Sequence, residues 1–134
     1  MRILIADAQH SNRLSIETML NRMGYFRIAP VSSFDEICVL AQCAVEPFDL
    51  LIINDDLSCE AGVDAIGFSQ GSPMLRSALA YNRAGSPSAN NPRRVGRSVT
   101  MTLAGLPTFE AISGLMHTLE SLTLPERILR TALD

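Results

Sequence analysis

Two short aliphatic runs, each followed directly by polar side chains, stand out in the first half of the chain. Arg2–Asp7 reads RILIAD, and Phe48–Gly62 reads FDLLIINDDLSCEAG with four consecutive apolar residues at its centre. Unbroken runs of this length are typical of strands that are buried on both faces, as in parallel sheets. Since ligands bind beyond the carboxyl ends of such strands, the polar residues at these two ends mark the candidate site.

Helical patterns alternate with these strands. Apolar residues recur at helical spacing over residues 11–23, and Gly24 follows where a left-handed residue would end the helix. Ser33 begins a capping box, S-x-x-E, ahead of a second helix. A short strand over residues 26–31 lies between the helices, and Pro30 favours an edge position for it. This alternation predicts an α/β fold with a doubly wound parallel sheet.

The second half of the chain is less regular. Its apolar pattern predicts a short helix, two strands and two helical pieces, at residues 63–68, 73–80, 98–103, 109–122 and 126–133. Tyr81–Arg97 lacks an apolar period and is rich in Gly, Pro, Ser and Asn, which predicts a long flexible loop. We therefore expect one domain over residues 1–122, which contains the loop 81–97, and a helical extension over residues 123–134.

Composition narrows the classes of function. The chain has 134 residues, 47% of them hydrophobic, and a formal charge of −3, so neither nucleic acid nor a membrane is favoured as a partner. All eleven basic residues are arginine, since lysine is absent. Three cysteines without CxxC spacing and two histidines do not form a metal-binding motif. The N-terminal apolar run is too short for a signal peptide, so we expect a cytoplasmic protein.

Three features carry a resemblance to a known family. They are ILIAD at the start, FDLLIIN with Gly62 eight residues after its last residue, and Leu106-Pro107 before the last main helix. Together with the order of elements, they resemble the receiver domain of bacterial response regulators. The resemblance implies a flavodoxin-like sheet of five parallel strands. It also implies that the loop 81–97 replaces the fourth helix.

Receiver domains accept a phosphoryl group from a histidine kinase on an aspartate, with Mg²⁺ held by that aspartate and an acid pair. The resemblance places Asn54 at the phosphoacceptor position and Asp7 and Ala8 at the acid pair. An amide cannot form an acyl phosphate, and one carboxylate of the pair is missing. Weak residual binding of Mg²⁺ by Asp7 and Asp56 stays open.

The residues that would hold the phosphoryl group are also changed. The family's lysine position falls on Leu106, and its hydroxyl position falls on Ser77 or Ala78, depending on the alignment of the fourth strand. The resemblance therefore implies a degenerate phosphorylation pocket without catalytic residues or cofactor.

The leading hypothesis is a pseudo-receiver, which is a phosphorylation-independent module for protein–protein interaction in bacterial signalling. Its partner would be a signalling protein such as a histidine kinase or another regulator, and homodimerisation stays open. A second hypothesis is a cyclic di-GMP-like nucleotide bound by Arg93, Arg94 and Arg97, because arginine suits phosphate contacts. A third is a receiver that is phosphorylated at a non-standard aspartate, Asp55 or Asp56.

Overall fold

A sheet of six strands forms the centre of the molecule. The computed structural model describes residues 1–85 and 91–133, and it describes side chains as far as residue 122. The strands are β1 Ile3–Ala6, β2 Ile28–Val31, β3 Phe48–Asn54, β4 Leu75–Tyr81, β5 Arg93–Val95 and β6 Ser98–Thr102. The helices are α1 His10–Arg22, α2 Phe34–Cys43, α3 Asp55–Glu60, α4 Ala65–Gln70 and α5 Phe109–Leu133.

The strand order is β2-β1-β3-β4-β6-β5, and all neighbouring pairs are parallel except β5 and β6. An α/β architecture with a mostly parallel sheet and flanking helices is compatible with a flavodoxin-like fold. The predicted number of five strands is wrong, because the described residues form a sixth strand at one edge. The opposite edge is β2, which confirms the edge position predicted from Pro30.

The additional strand lies in the segment that was predicted to be a loop. Arg93–Val95 pairs antiparallel with β6, and the pair Val95 and Ser98 encloses a turn of two residues. Gly96, the first of them, has a positive φ of 61°, which is the conformation that hairpin turns of the Gly-X kind require. The resemblance implied that the loop 81–97 replaces the fourth helix of a receiver domain. Between β4 and β6, the described residues form no helix. The predicted flexibility falls partly on residues 86–90, which lie outside the description.

Both faces of the sheet are covered. Ile3 and Ile5 pack with residues of α1 and α5 on one face, whereas Leu4 and Ala6 pack with residues of α2 and the two short helices on the other. Side chains of successive strand residues point to opposite faces, so unbroken aliphatic runs bury every residue. The aliphatic residues of β1 and β3 are accordingly fully buried.

Local sequence signals account for most of the helix ends, and the helices differ from the sequence predictions in three respects. Ser33 caps α2 by accepting a hydrogen bond from Glu36 N, but the carboxylate of Glu36 contacts Ser32 instead of closing the box on Ser33. The short helix predicted at 63–68 is present as α4, capped by Asp64, and a further short helix that was not predicted, α3, is capped by Asn54. The last helix continues to Leu133 without the predicted end near residue 122.

Candidate functional site

Three polar side chains at the ends of the neighbouring strands β1, β3 and β4 lie close together. Asp7 continues the alternation of Ile3 and Ile5, while Asn54 and Tyr81 end β3 and β4 and are paired in register. Because strand side chains alternate, all three point to the sheet face that α1 and α5 cover. We call Asp7, Asn54 and Tyr81, with Asn12 at the start of α1, the strand-end cluster. Asp7 is 1% exposed, Asn54 7% and Tyr81 0%.

The Asp7 carboxylate is surrounded by uncharged donors. Its Oδ2 accepts hydrogen bonds from the Asn12 amide at 3.0 Å, the Asn54 amide at 3.1 Å and the Tyr81 hydroxyl. Its Oδ1 accepts the backbone N–H of Gln9 at 2.8 Å. A buried carboxylate is costly unless its oxygens are satisfied, and here both are satisfied by the chain itself.

These contacts set the protonation of the cluster. Burial alone raises the pKa of Asp7, but the hydrogen bonds from Tyr81, Gln9, Asn54 and Asn12 outweigh burial and lower that pKa below its usual value. Burial and the adjacent Asp7 carboxylate raise the pKa of the Tyr81 hydroxyl. At neutral pH the cluster therefore holds one carboxylate, one neutral phenol and two amides.

Asn54 uses both ends of its amide. The Nδ2 group donates to Asp7, and Oδ1 accepts the N–H of Asp56 at 2.9 Å, which caps α3. An ionised carboxylate has no donor and would face Asp7 with a second negative charge. The Asn54 amide thus completes the hydrogen bonding of the cluster.

The other two acids after β3 lie outside the cluster. Asp56 is exposed and accepts a hydrogen bond from the Asn82 side chain at 3.1 Å. Asp55 is half-buried and accepts hydrogen bonds from Ser58 and Cys59 within its own helix. Neither carboxylate replaces Asn54 at the buried position.

Neither Ser77 nor Ala78, the two residues predicted for the hydroxyl position, lies in the strand-end cluster. Ala78 pairs with Leu51 and packs on the opposite face of the sheet. Ser77 pairs with Leu50 in the middle of β4, where its Oγ accepts the N–H of Val99 at 2.9 Å. Strand β4 begins at Leu75 and continues to Tyr81, so its end lies beyond both residues.

Tyr81 belongs to the strand-end cluster but was not among the site residues predicted from the sequence. It ends the run ALAY immediately before the Gly- and Pro-containing segment, and this position at a strand end was the available signal. Its ring belongs to the core between the sheet and helices α1 and α5, and its hydroxyl contacts Asp7. A short hydroxyl residue would leave room at this point that the Tyr81 side chain fills.

The remaining predicted pocket residues do not add charge to the cluster. Ala8 is exposed, and Leu106, 57% exposed, follows β6 at the position expected for a lysine. Arg13 approaches the cluster, but its guanidinium donates to the backbone carbonyl of Asp7 at 2.6 Å and not to the carboxylate. The acid–lysine arrangement of a receiver is therefore not assembled by these residues.

A divalent cation does not fit these residues. Mg²⁺ needs several hard oxygen ligands, and Asp7 offers oxygens that already accept four donors. The Asn54 group that faces Asp7 is the donor end of its amide. Within the described residues, no three side chains of His, Cys, Asp or Glu lie together as a metal site.

The three arginines of the second hypothesis lie at the far edge of the sheet. Arg93 and Arg94 are exposed on β5, and Arg97 is exposed in the hairpin turn. Strand β6 separates β5 from β4, so these arginines are not brought to the strand-end cluster. Because Arg93 and Arg94 are consecutive on a strand, their side chains leave opposite faces.

Comparison with known proteins leaves the family open. No protein-family model matches the chain, no curated protein matches it, and no solved structure matches it. Among the described residues, no helix combines the length and the apolar character that crossing a membrane requires.

Proposed function

We propose that the chain is a pseudo-receiver with a doubly wound sheet, which acts as a phosphorylation-independent module for protein–protein interaction in bacterial signalling. The observation that carries the proposal is the complete satisfaction of the Asp7 carboxylate by Asn12, Asn54, Tyr81 and Gln9 N–H. In a receiver, the corresponding carboxylate serves a cation. Here neutral groups of the chain take the cation's place.

The chemistry of phosphoryl transfer lacks its parts at this site. Asn54 offers an amide where a carboxylate nucleophile is required. A transferred phosphoryl group also needs cations to stabilise its charge, and Leu106 supplies none. Tyr81 occupies the space beside Asp7 and donates to its Oδ2. These features support a protein without catalytic activity or cofactor.

The hydrogen bonding of the strand-end cluster also supports a partner-binding surface that does not depend on a phosphorylation switch. A ligand shifts a conformational equilibrium only if it binds two states with different affinity. The cluster presents no free carboxylate pair for a cation or phosphoryl group. We therefore expect neither ligand to favour one conformation of the protein over another. Recognition of a signalling partner, a histidine kinase or another regulator in the cytoplasm, would then depend on surface side chains and not on phosphorylation.

Acetyl phosphate with Mg²⁺ tests the proposal, with acid-quenched intact-mass spectrometry as the readout. A receiver domain with a complete site, placed in the same tube, serves as the positive control. We expect no addition of about 80 Da to this chain. The Asn54→Asp variant is also expected to stay unmodified, because it restores the nucleophile without the lysine or the second acid.

Modification of the parent would overturn the proposal. Loss of the added mass in Asp56→Asn or Asp55→Asn would then establish the third hypothesis, phosphorylation at a non-standard aspartate. Modification of Asn54→Asp alone would show that the missing nucleophile, and not the closed cluster, is what prevents the reaction.

A further inference from the structure

The two edges of the sheet differ in how they are protected. Strand β2 contains Pro30, which lacks an N–H and blocks the addition of another strand. Strand β5 has no proline, and within the described residues no strand pairs with its outer side. All three residues of β5 are exposed. An open edge of this kind can accept an extended peptide.

Hairpin geometry identifies the backbone groups that such a peptide would meet. In a hairpin with a two-residue turn, the pair that flanks the turn exchanges both hydrogen bonds, and this pair is Val95 and Ser98. The bonding direction alternates along a strand, so the N–H and C=O of Arg94 point outward. Arg94 is therefore the residue of β5 that would exchange hydrogen bonds with an added strand.

The side chains of β5 define what the added strand should carry. Arg93 and Val95 share the face of their partners Thr100 and Ser98, whereas Arg94 shares the face of Val99. Within the described residues neither Arg93 nor Arg94 forms an ion pair. Val95 is 62% exposed. Strand β5 thus presents one arginine on each face of the sheet and one exposed aliphatic side chain.

We propose that the outer edge of β5 binds an extended, acidic segment of a partner protein by antiparallel strand addition. This inference rests on the proposed function, since it names the surface of the interaction module. The residues opposite Val95, Arg94 and Arg93 would be aliphatic, acidic and acidic, in that order along the partner. Opposite charges on directly facing residues stabilise a strand pair, and the aliphatic residue covers Val95.

A second copy of the chain fits this edge poorly. Two antiparallel β5 strands centred on Arg94 would place Arg94 opposite its own copy, and like charges that face each other are destabilising. Exposed arginines thus protect the edge against self-association. An acidic strand removes that repulsion, so the same residues favour a partner of opposite charge.

A terminally blocked peptide with the central order Val-Glu-Glu, flanked by threonines, tests the proposal on the full chain. We expect binding that weakens as salt rises, because exposed charges are screened. NMR should show the largest amide shift at Arg94. Replacing both glutamates by glutamine should weaken binding about tenfold, and the double variant Arg93→Gln/Arg94→Gln should do the same.

Two controls separate strand addition from general attraction. N-methylation of the first glutamate removes the donor opposite Arg94 without changing charge, and binding should be lost. Arg27→Gln removes an exposed arginine next to the opposite edge, and binding should be retained. Equal binding of the N-methylated peptide, or no binding of the parent peptide, would overturn the proposal. A dimer formed through β5, seen by sedimentation, would overturn it as well.

This outcome is independent of the phosphorylation test. If the peptide fails and acetyl phosphate still leaves the chain unmodified, the pseudo-receiver stands and only its proposed surface is rejected. If the chain is phosphorylated, the pseudo-receiver is rejected whatever the peptide does.

Discussion

Asn54 meets two opposite hydrogen-bonding demands at the end of β3. It donates to a buried carboxylate and accepts from the first turn of α3. Among the common polar side chains, an amide has both a donor and an acceptor in the planar geometry that this position uses. An aspartate would satisfy the helix but leave two carboxylates 3.1 Å apart, since that is the present separation of the facing atoms.

Tyr81 donates to the same carboxylate oxygen, and its removal should expose the cost of burying that charge. We expect Tyr81→Phe to lower the free energy of unfolding by about 1.5–3 kcal/mol at neutral pH, as for other hydrogen bonds to charged groups. Tyr25→Phe is the matched control. The Tyr25 hydroxyl donates to Glu120 at the surface, where a lost contact costs less.

The same variant makes a prediction about pH. The pKa of Asp7 is lowered on folding, so its contribution to stability is present above the unfolded pKa of about 4 and is lost as pH falls through the folded pKa. Tyr81→Phe removes a cause of that lowering. Urea denaturation across acidic pH should therefore show the parent and the variant converging below pH about 4. A constant difference at all pH values would contradict the assigned role of the hydroxyl.

At the scale of elements, the β5–β6 hairpin depends on the turn at Gly96. Its φ of 61° is a conformation that side chains disfavour, although no atom lies within 4 Å of a Cβ built there. Gly96→Ala should therefore destabilise through the backbone alone, by about 1–2 kcal/mol. Gly114→Ala is the matched control with the opposite sign, because Gly114 is exposed inside α5 with open space around it. Alanine there should stabilise by about 0.5–1 kcal/mol.

Thermal melts of the two variants check this prediction. Hydrogen exchange should also be faster in β5 of Gly96→Ala, whereas the parallel strands should be unaffected. A Gly96→Ala variant as stable as the parent would mean that the hairpin turn is not as described.

The elements that could be predicted from the sequence are those with a strong period or a specific cap. Buried strands β1 and β3 followed from unbroken aliphatic runs, and α1 and α2 from helical spacing with Gly24 and Ser33 at their ends. Strand β5 could not be read in this way, because its three residues are exposed and carry no apolar period. The Gly-X pair at Gly96 was the local signal for a hairpin, but the surrounding loop-like composition concealed it.

The candidate site was predictable only in part, for a reason of register. Asp7 and Asn54 follow directly from the ends of two clear strands. Tyr81 depends on where β4 ends, and strand ends are not fixed by composition alone. Pairing of Tyr81 with Asn54 is a property of the assembled sheet. A tertiary contact of this kind leaves no pattern in a single strand.

At the scale of the whole molecule, the sheet separates two regions of opposite character. The strand-end cluster lies between β1 and β3, where the strand order reverses and where ligands of open α/β sheets bind. In this protein the chain's own hydrogen bonds occupy that place. Exposed arginines lie at the far edge on β5. We therefore infer that the strand-end cluster is structural, and we propose that recognition occurs at the β5 edge.

The central claim is that neutral donors of the chain, and not a cation, satisfy Asp7. It is tested most directly by following the side-chain amide signals of Asn54, Asn12 and Asn82 by NMR while Mg²⁺ is added. The amides of Asn54 and Asn12 bond to the Asp7 carboxylate, whereas the amide of Asn82 bonds to the exposed Asp56. Asn82 therefore reports any weak binding at the surface.

We predict that the Asn54 and Asn12 signals stay unchanged to about 10 mM Mg²⁺, because both oxygens of the Asp7 carboxylate already accept hydrogen bonds from the chain. A shift confined to Asn82 would be surface binding and would leave the account intact. A saturable shift of the Asn54 and Asn12 signals, with a midpoint below that concentration, would show that the cluster is a metal site and would contradict the account.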